Sequence, residues 1–107
     1  MGVERRSHFR IVYPLKERPE ARLNGVRCTV VDLSEGGIRF ATSAIDAFQV
    51  STTVSGTIAF ADGGREAING TVLRKKGNQF VVHLTMAIPL PRVMIEQRII
   101  IQKHGKL

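Results

Sequence analysis

The feature that most constrains the fold of this chain is an alternation of apolar and polar residues with a period of two. It is clearest in the segment QFVVHLTM, where Phe80, Val82, Leu84 and Met86 share one face. The same alternation recurs in TTVSGTIAF, in EAINGTVLR and in the stretch that begins at Val26. Because successive side chains of a β-strand point to opposite faces, each segment is predicted to be a strand with one buried face.

Turn residues separate these segments at short intervals. Asn24-Gly25 is a typical hairpin dipeptide, and glycine-containing turns follow at Glu35-Gly36-Gly37, Asp62-Gly63-Gly64 and Lys76-Gly77-Asn78. The pattern predicts consecutive antiparallel hairpins. The expected strands are 18–24, 26–33, 37–42, 53–60, 65–74 and 79–86. Six strands are enough to close a small barrel, so the predicted fold class is mainly β, a six-stranded antiparallel β-barrel over residues 18–86.

The end of the chain shows a different pattern, typical of a helix. Ile95 and Ile99 are four positions apart, Pro91 suits the start of a helix, and Gly105 suits its end. A C-terminal α-helix is therefore predicted over residues 92–103. Three consecutive β-branched isoleucines within it are also compatible with a strand.

Length and charge limit the class of protein. A chain of 107 residues with a formal net charge of +7 is expected to form one domain, residues 1–107. The basic excess lies at the two ends and suggests a phosphate-bearing partner, although many small proteins are basic for solubility alone. No apolar run approaches the roughly 18–20 residues of a spanning helix, and the first ten residues lack the apolar core of a signal peptide. We therefore expect a cytoplasmic protein without a membrane span.

Candidate catalytic groups are sparse. His8, His83 and His104 have no carboxylate partner in sequence, and neither a nucleophile elbow nor metal-ligand spacing is present. The segment DGGREAING lacks the lysine and the strand-to-helix context of a phosphate loop. The single cysteine, Cys28, falls at an apolar strand position and is predicted to be a core residue. We expect no catalytic residue, no metal site and no enzymatic activity.

Two short motifs stand out. Arg6 and Arg10 form R-x-x-x-R with a further arginine directly before it, and VVDLSEGG contains D-x-S-x-x-G where a strand runs into a turn. Taken alone, each motif is common, because an arginine run is usually a solvated surface and D-x-S-x-x-G is ordinary turn sequence. Their order and their separation of about 22 residues are far more specific.

Together the motifs resemble the PilZ domain family, the bacterial receptors for cyclic di-GMP. The resemblance continues through GIRF, INGTVLR and QFVVHL to the closing helix, so that it covers nearly the whole chain. It implies a barrel that binds the dinucleotide on its outer surface, where an arm of residues 1–10 meets the D-x-S-x-x-G turn. Ligand binding is then expected to change the conformation of the arm and to signal to a partner protein.

The roles implied by the family suit the chemistry of the residues. The guanidinium groups of Arg6 and Arg10 match a phosphate, or guanine O6 and N7, in a bidentate geometry. The carboxylate of Asp32 accepts hydrogen bonds from guanine N1–H and N2–H₂, a donor pair that adenine lacks. The hydroxyl of Ser34 can donate to a phosphate oxygen.

Four further residues complete the expected site. Gly36 and Gly37 lack a Cβ, which allows a positive φ and a close approach by a base or sugar, although an ordinary turn explains Gly36 equally well. The resemblance implies that Arg5 adds the binding of a second, intercalated ligand, so two molecules of cyclic di-GMP per site and no other cofactor are expected. Arg74 aligns near a further contact position, but an exposed strand arginine explains it as well.

Other functions are compatible with a small basic barrel. Such barrels bind RNA or single-stranded DNA through exposed aromatic rings, but tryptophan is absent, Tyr13 is the single tyrosine and most phenylalanines fall at inward positions. No nucleic acid polymer is therefore expected. A PilZ-like module that binds only protein is a third alternative, in which intact arginines and Asp32 would not be expected. The partners implied by the resemblance belong to motility, chemotaxis or exopolysaccharide machinery.

Overall fold

A computed structural model describes residues 10–105, so Arg5 and Arg6 lie outside the described part of the chain. Within this range strands precede a single α-helix. The elements are β1 (Arg10–Val12), β2 (Glu20–Leu23), β3 (Val26–Ser34), β4 (Gly37–Ala41), β5 (Thr53–Ala59), β6 (Arg65–Lys76), β7 (Gln79–Leu84) and α1 (Leu90–His104).

Six of these strands close into an antiparallel barrel. Hydrogen-bonded neighbours run in the order β3-β2-β5-β6-β7-β4, and β4 pairs back onto β3. The short strand β1 pairs with residues 32–34 of β3, beyond the segment 26–29 that pairs with β2. Each barrel strand is thus paired on both sides, which is how a small β-protein removes its exposed strand edges.

The predicted fold class is confirmed, and β2 to β7 correspond to the six predicted strands with ends that differ by at most two residues. The sequence pattern does not predict β1, because three residues are too short to show a period. Arg10 is therefore the first residue of a strand, whereas the sequence predicts it as the last residue of the arm. The prediction that Met86 lies on a buried strand face is wrong, because β7 ends at Leu84 and the Met86 side chain is 76% exposed.

The barrel interior is filled by the apolar residues that alternate along the strands. At its centre three rings stack, with centroid distances of 5.5 Å between Phe40 and Phe80 and 4.3 Å between Phe48 and Phe80. Phe48 belongs to the connection between β4 and β5, so its buried ring anchors that connection to the core. Cys28 is buried as predicted, and burial raises the pKa of its thiol.

A bulge on β3 decides which side chains face outward at its end. The register against β4 shifts between Val30 and Asp32, with Val31 as the extra residue. A strict period of two would turn Asp32 and Ser34 inward with the buried Val30. Because the bulge interrupts the period, Leu33 takes the inward position, and the aspartate and serine reach the outer surface.

A second bulge has the same effect on β6. The register against β7 shifts between Val72 and Arg74, with Leu73 as the extra residue. Val72 remains buried, whereas Arg74 is exposed on the outer surface. The two bulges therefore place an aspartate and an arginine on the same side of the barrel wall.

Two glycines on the barrel strands have no room for a side chain. A Cβ on Gly56 would overlap the main-chain carbonyl of Arg22 on β2, and a Cβ on Gly70 would overlap that of His83 on β7. Such close backbone approaches are typical of sharply bent strands in small barrels. These glycines are therefore required by the closure of the barrel.

Helix α1 covers one side of the barrel and packs against β1. It includes the predicted span 92–103, Pro91 lies in its first turn, and Gly105 ends it with a φ of 80°. The three isoleucines are thus helical. The buried face consists of Val93, Glu96 and Ile100. Within residues 10–105 no helix is both long and apolar enough to cross a membrane.

A polar network satisfies the buried Glu96. Tyr13 Oη donates a hydrogen bond of 2.8 Å to Glu96 Oε1, and Arg92 Nη1 donates one of 3.3 Å to Oε2. The same Arg92 nitrogen lies 3.1 and 3.0 Å from the two carboxylate oxygens of Asp62. Its guanidinium also stands over the ring of Phe60, 4.7 Å from the centroid. The network joins the end of β1, the helix and the turn between β5 and β6.

Candidate ligand-binding site

The outer surface of the barrel carries a row of neighbouring side chains near the two bulges. Asp32 on β3 pairs with Arg39 on β4, Arg39 with Val81 on β7, and Val81 with Arg74 on β6. Since adjacent strands are about 4.8 Å apart, the row spans about 14 Å. We call Asp32, Arg39 and Arg74 the charged row.

Arg10 reaches the charged row from β1. Its Nη2 lies 3.4 Å from Asp32 Oδ1, while Arg39 Nε lies 3.3 Å from Asp32 Oδ2. The Asp32 carboxylate is thus held between guanidinium groups from both neighbouring strands. Its side chain is 14% exposed, whereas that of Arg10 is 60% exposed. Because a contact made by so exposed an arginine is weak, a ligand can replace it at low cost.

Ser34 and Gly37 border the turn between β3 and β4. Ser34 Oγ donates a hydrogen bond of 2.9 Å to the Gly37 carbonyl, a local bond typical of turns. The expectation of a positive φ is wrong for both Gly36 and Gly37. A Cβ on Gly36 would meet no atom within 4 Å, whereas one on Gly37 would lie 3.5 Å from the Val82 carbonyl oxygen. Because 3.5 Å is an ordinary van der Waals distance, a methyl group is accommodated at either position.

A cleft of about 190 Å³ lies at the centre of this arrangement. Its lining residues are Arg10, Asp32, Ser34, Gly37, Ile38, Arg39, Arg74 and Val81. Three guanidinium groups against one carboxylate make the cleft electropositive. It is smaller than the roughly 300–1,000 Å³ of pockets that bury a drug-sized ligand, so it suits one part of a dinucleotide, such as a base or a phosphate.

The structure brings together most of the site residues that were predicted within its range. Those in the cleft are Arg10, Asp32, Ser34, Gly37 and Arg74. Gly36 is not among the lining residues. Arg5 and Arg6 fall outside the described residues, and their part in the site stays a prediction.

Sequence reasoning misses Arg39. The signal is present in GIRF, where the inward positions of Ile38 and Phe40 leave Arg39 on the outer face. Because a tight turn connects β3 to β4, antiparallel pairing then brings this arginine opposite the aspartate of the preceding strand. Finding it requires the exact register, including the Val31 bulge, and the alternation does not reveal a bulge.

Fold and cleft together define a class of small closed barrels with a positively charged cleft on the outside of the wall. The family model for the PilZ domain matches residues 4–100, and the chain belongs to the PilZ domain family. PilZ domains are ligand-binding receptor or adaptor domains, and the family is one of cyclic di-GMP receptors.

A similar solved structure is that of the Bacillus subtilis inhibitor of motility, MotI/DgrA. The two share a TM-score of 0.68 and 15% sequence identity, over 98% of this chain and 54% of that one. This chain thus spans about half the length of that protein, and at this identity the similarity concerns the fold. No curated protein sequence matches the chain.

Proposed function

We propose that this chain is a cyclic di-GMP receptor that binds the dinucleotide over the charged row. The observation that carries the proposal is the convergence of Asp32 with Arg10, Arg39 and Arg74 in one cleft, in a chain that belongs to the PilZ family. The excess of guanidinium groups over carboxylates suits a ligand with two phosphodiester groups.

Guanine recognition is assigned to Asp32. In the absence of ligand its two oxygens face Arg10 and Arg39. The N1–H and N2–H₂ donors of guanine replace these partners, and the released guanidinium groups turn to phosphate oxygens or to guanine O6 and N7. Because the carboxylate exchanges one set of donors for another, the cost of breaking its ion pairs is largely returned.

The remaining contacts are assigned to the N-terminal arm, with Arg5 and Arg6. Ordering about six arm residues costs on the order of 6–12 kcal/mol, whereas one good bidentate contact returns about 1–3 kcal/mol. Several arginines, together with Asp32, Ser34 and base stacking, are needed to leave the roughly 8 kcal/mol of a micromolar complex. We infer that the arm closes over the ligand and so changes the surface presented to a partner.

Two ligand molecules per site are proposed, because the family resemblance associates an arginine directly before R-x-x-x-R, here Arg5, with an intercalated pair of ligands. The proposed partner is a bacterial cytoplasmic protein of the motility, chemotaxis or exopolysaccharide machinery. Motility comes first among these, since the fold neighbour is named an inhibitor of motility.

The test is calorimetric titration of the nucleotide-free protein with cyclic di-GMP. Arg6→Ala, Arg10→Ala and Asp32→Ala are each expected to weaken binding by about tenfold or more. Gly36→Ala is the control, because Gly36 does not line the cleft and a methyl group there meets open space. Arg5→Ala is expected to reduce the stoichiometry from two to one. Absence of uptake at millimolar ligand would overturn the proposal.

Titration with single-stranded oligonucleotides separates this function from nucleic acid binding. The phenylalanine and tyrosine rings of residues 10–105, namely Tyr13, Phe40, Phe48, Phe60 and Phe80, are all buried. The described surface thus offers no phenylalanine or tyrosine ring on which bases can stack. Steeply salt-dependent oligonucleotide binding without binding of the dinucleotide would instead support a nucleic acid function.

A further inference from the structure

A groove on the described surface lies away from the cleft and is bordered by arginines. It has a volume of about 500 Å³ and is flanked by Arg22, Arg27 and Arg65. A second groove, of about 430 Å³, shares Arg27 and is bordered by Arg18. Neither groove shares a lining residue with the cleft. We call Arg18, Arg22, Arg27 and Arg65 the arginine surface.

The arginine surface carries more positive than negative charge. Arg22 and Arg27 are direct cross-strand partners in the pairing of β2 with β3, and like charges in this position repel. Arg27 forms an ion pair with Glu20, which is the one acidic residue that lines either groove. An anion bound between these side chains would relieve the repulsion.

Arg18 adds a further positive charge at the second groove. Its Nε is buried from solvent and has no hydrogen-bond partner among the described residues. Buried donors are nearly always paired, because a lost hydrogen bond to water is costly. Because solvent does not reach this nitrogen, a surface-bound carboxylate can accept only from the Nη groups of Arg18. Ser43 and Asn78 line the same groove and offer further polar contacts.

The shape of the surface indicates the kind of anion. Neither groove is lined by an aromatic residue, so a single-stranded nucleic acid would find no stacking platform. Arg27, Arg22 and Arg65 lie on β3, β2 and β6 of the order β3-β2-β5-β6, three strand spacings across, with Arg65 two residues further along the strands, so they span about 16 Å. An extended peptide covers about 6.7 Å per two residues, so acidic side chains at alternate positions match this span.

We propose that the arginine surface binds an extended acidic segment of a partner protein, with carboxylates at alternate positions. Recognition runs through side chains, because the strands that carry the surface are paired on both sides and offer no edge for an added strand. The proposal does not depend on cyclic di-GMP binding at the cleft.

The test is fluorescence anisotropy with a labelled eight-residue peptide of alternating glutamate and threonine, ETETETET. The double variant Arg22→Ala/Arg65→Ala is expected to bind about tenfold more weakly than the wild type. The matched control is Lys16→Ala/Arg98→Ala, which removes the same charge at exposed positions outside both grooves. Its expected effect is under about twofold, since screened surface charges contribute little. Arg18→Ala removes one charge at the second groove alone and is expected to weaken binding about threefold.

Three results would overturn the proposal. Equal weakening by the two double variants would mean that net charge alone attracts the peptide. Equal affinity for the isomeric peptide EEEETTTT would remove the role of spacing. Tighter binding of a dodecameric oligothymidylate, lost in Arg22→Ala/Arg65→Ala, would assign the surface to nucleic acid. The same variants are expected to bind cyclic di-GMP with the affinity of the wild type. A wild type that does not bind cyclic di-GMP would refute only the proposed function.

Discussion

Tyr13 and Glu96 are joined by a hydrogen bond of 2.8 Å beneath α1, although 83 positions separate them in sequence. Tyr13 follows β1, the strand that brings Arg10 to the ligand cleft, while Glu96 belongs to the buried face of the helix. Burial is the main cause that raises the pKa of both groups, and the negative charge of Glu96 adds to the effect on Tyr13. The bond therefore ties the strand at the cleft to the C-terminal helix.

Removal of this bond is expected to destabilise the protein. Tyr13→Phe leaves Glu96 Oε1 buried without its donor, and we expect the free energy of unfolding to fall by about 1–3 kcal/mol in urea titrations. Glu20→Gln, which alters the exposed pair of Glu20 with Arg27, serves as the control, with an expected change of about 0–1 kcal/mol. Equal losses in the two variants would contradict a special weight for the buried bond.

Glu96 is expected to make stability fall as the pH rises. Burial holds its folded-state pKa above the usual 4.5. Between pH 4.5 and that raised pKa, the native state therefore binds more protons than the unfolded state. Stability is then highest at the low end of this window and declines through it. Urea titrations across the window are expected to show the decline in the wild type and a smaller one in Glu96→Gln. An equal decline of stability in the wild type and in Glu96→Gln would contradict this role of Glu96.

Asp62 is expected to give the opposite dependence in more acidic solution. The backbone N–H of Gly64 and then Arg92 hold the pKa of Asp62 below its usual 3.8. The contribution of Asp62 to stability is therefore present above pH 3.8 and is lost as the pH falls through the lowered pKa. Compared with Asp62→Asn in acid titrations followed by circular dichroism, the wild type is expected to lose its advantage below 3.8. An advantage that persists at the acid end would refute this role.

The barrel is predictable from the sequence because its signals are local. Alternating residues and glycine turns indicate the six barrel strands, and proline, spacing and glycine indicate the helix. The buried face of α1 is less predictable. Ile95 is partly exposed while Glu96 is buried, because Glu96 finds Tyr13 and Arg92 as partners. Such a long-range partnership leaves no mark in the pattern around the helix.

The ligand cleft is predictable only in part. The spacing of the two motifs indicates Asp32 and Ser34 without any knowledge of the register. The placement of Arg39 and Arg74 in the cleft depends on which residue faces outward after a bulge. The position of a bulge is set by the pairing of two strands. One extra residue reverses the direction of every later side chain, so the period alone cannot assign these positions.

Gly56 is expected to be intolerant of a side chain. A Cβ there would overlap the carbonyl group of Arg22, so the pairing of β2 with β5 must shift. We expect Gly56→Ala to lower the free energy of unfolding by about 2–3 kcal/mol in urea titrations. Gly36→Ala is the matched control, because its Cβ meets open space and its φ is not positive. It is expected to be neutral or to stabilise by about 0.5 kcal/mol, and a loss like that of Gly56→Ala would contradict the steric explanation.

Arg39 is expected to matter for ligand affinity although neither motif contains it. Its side chain is 26% exposed and lies against the carboxylate assigned to guanine, so it is held in place before the ligand arrives. Arg39→Ala is expected to weaken cyclic di-GMP binding about tenfold in calorimetric titrations, since a bidentate contact is lost. Arg39→Lys keeps the charge without the planar fork and is expected to restore only part of the affinity. Arg98→Ala removes an exposed arginine of the helix as the control, and an equal effect of Arg39→Ala and Arg98→Ala would reduce Arg39 to a contributor of net charge.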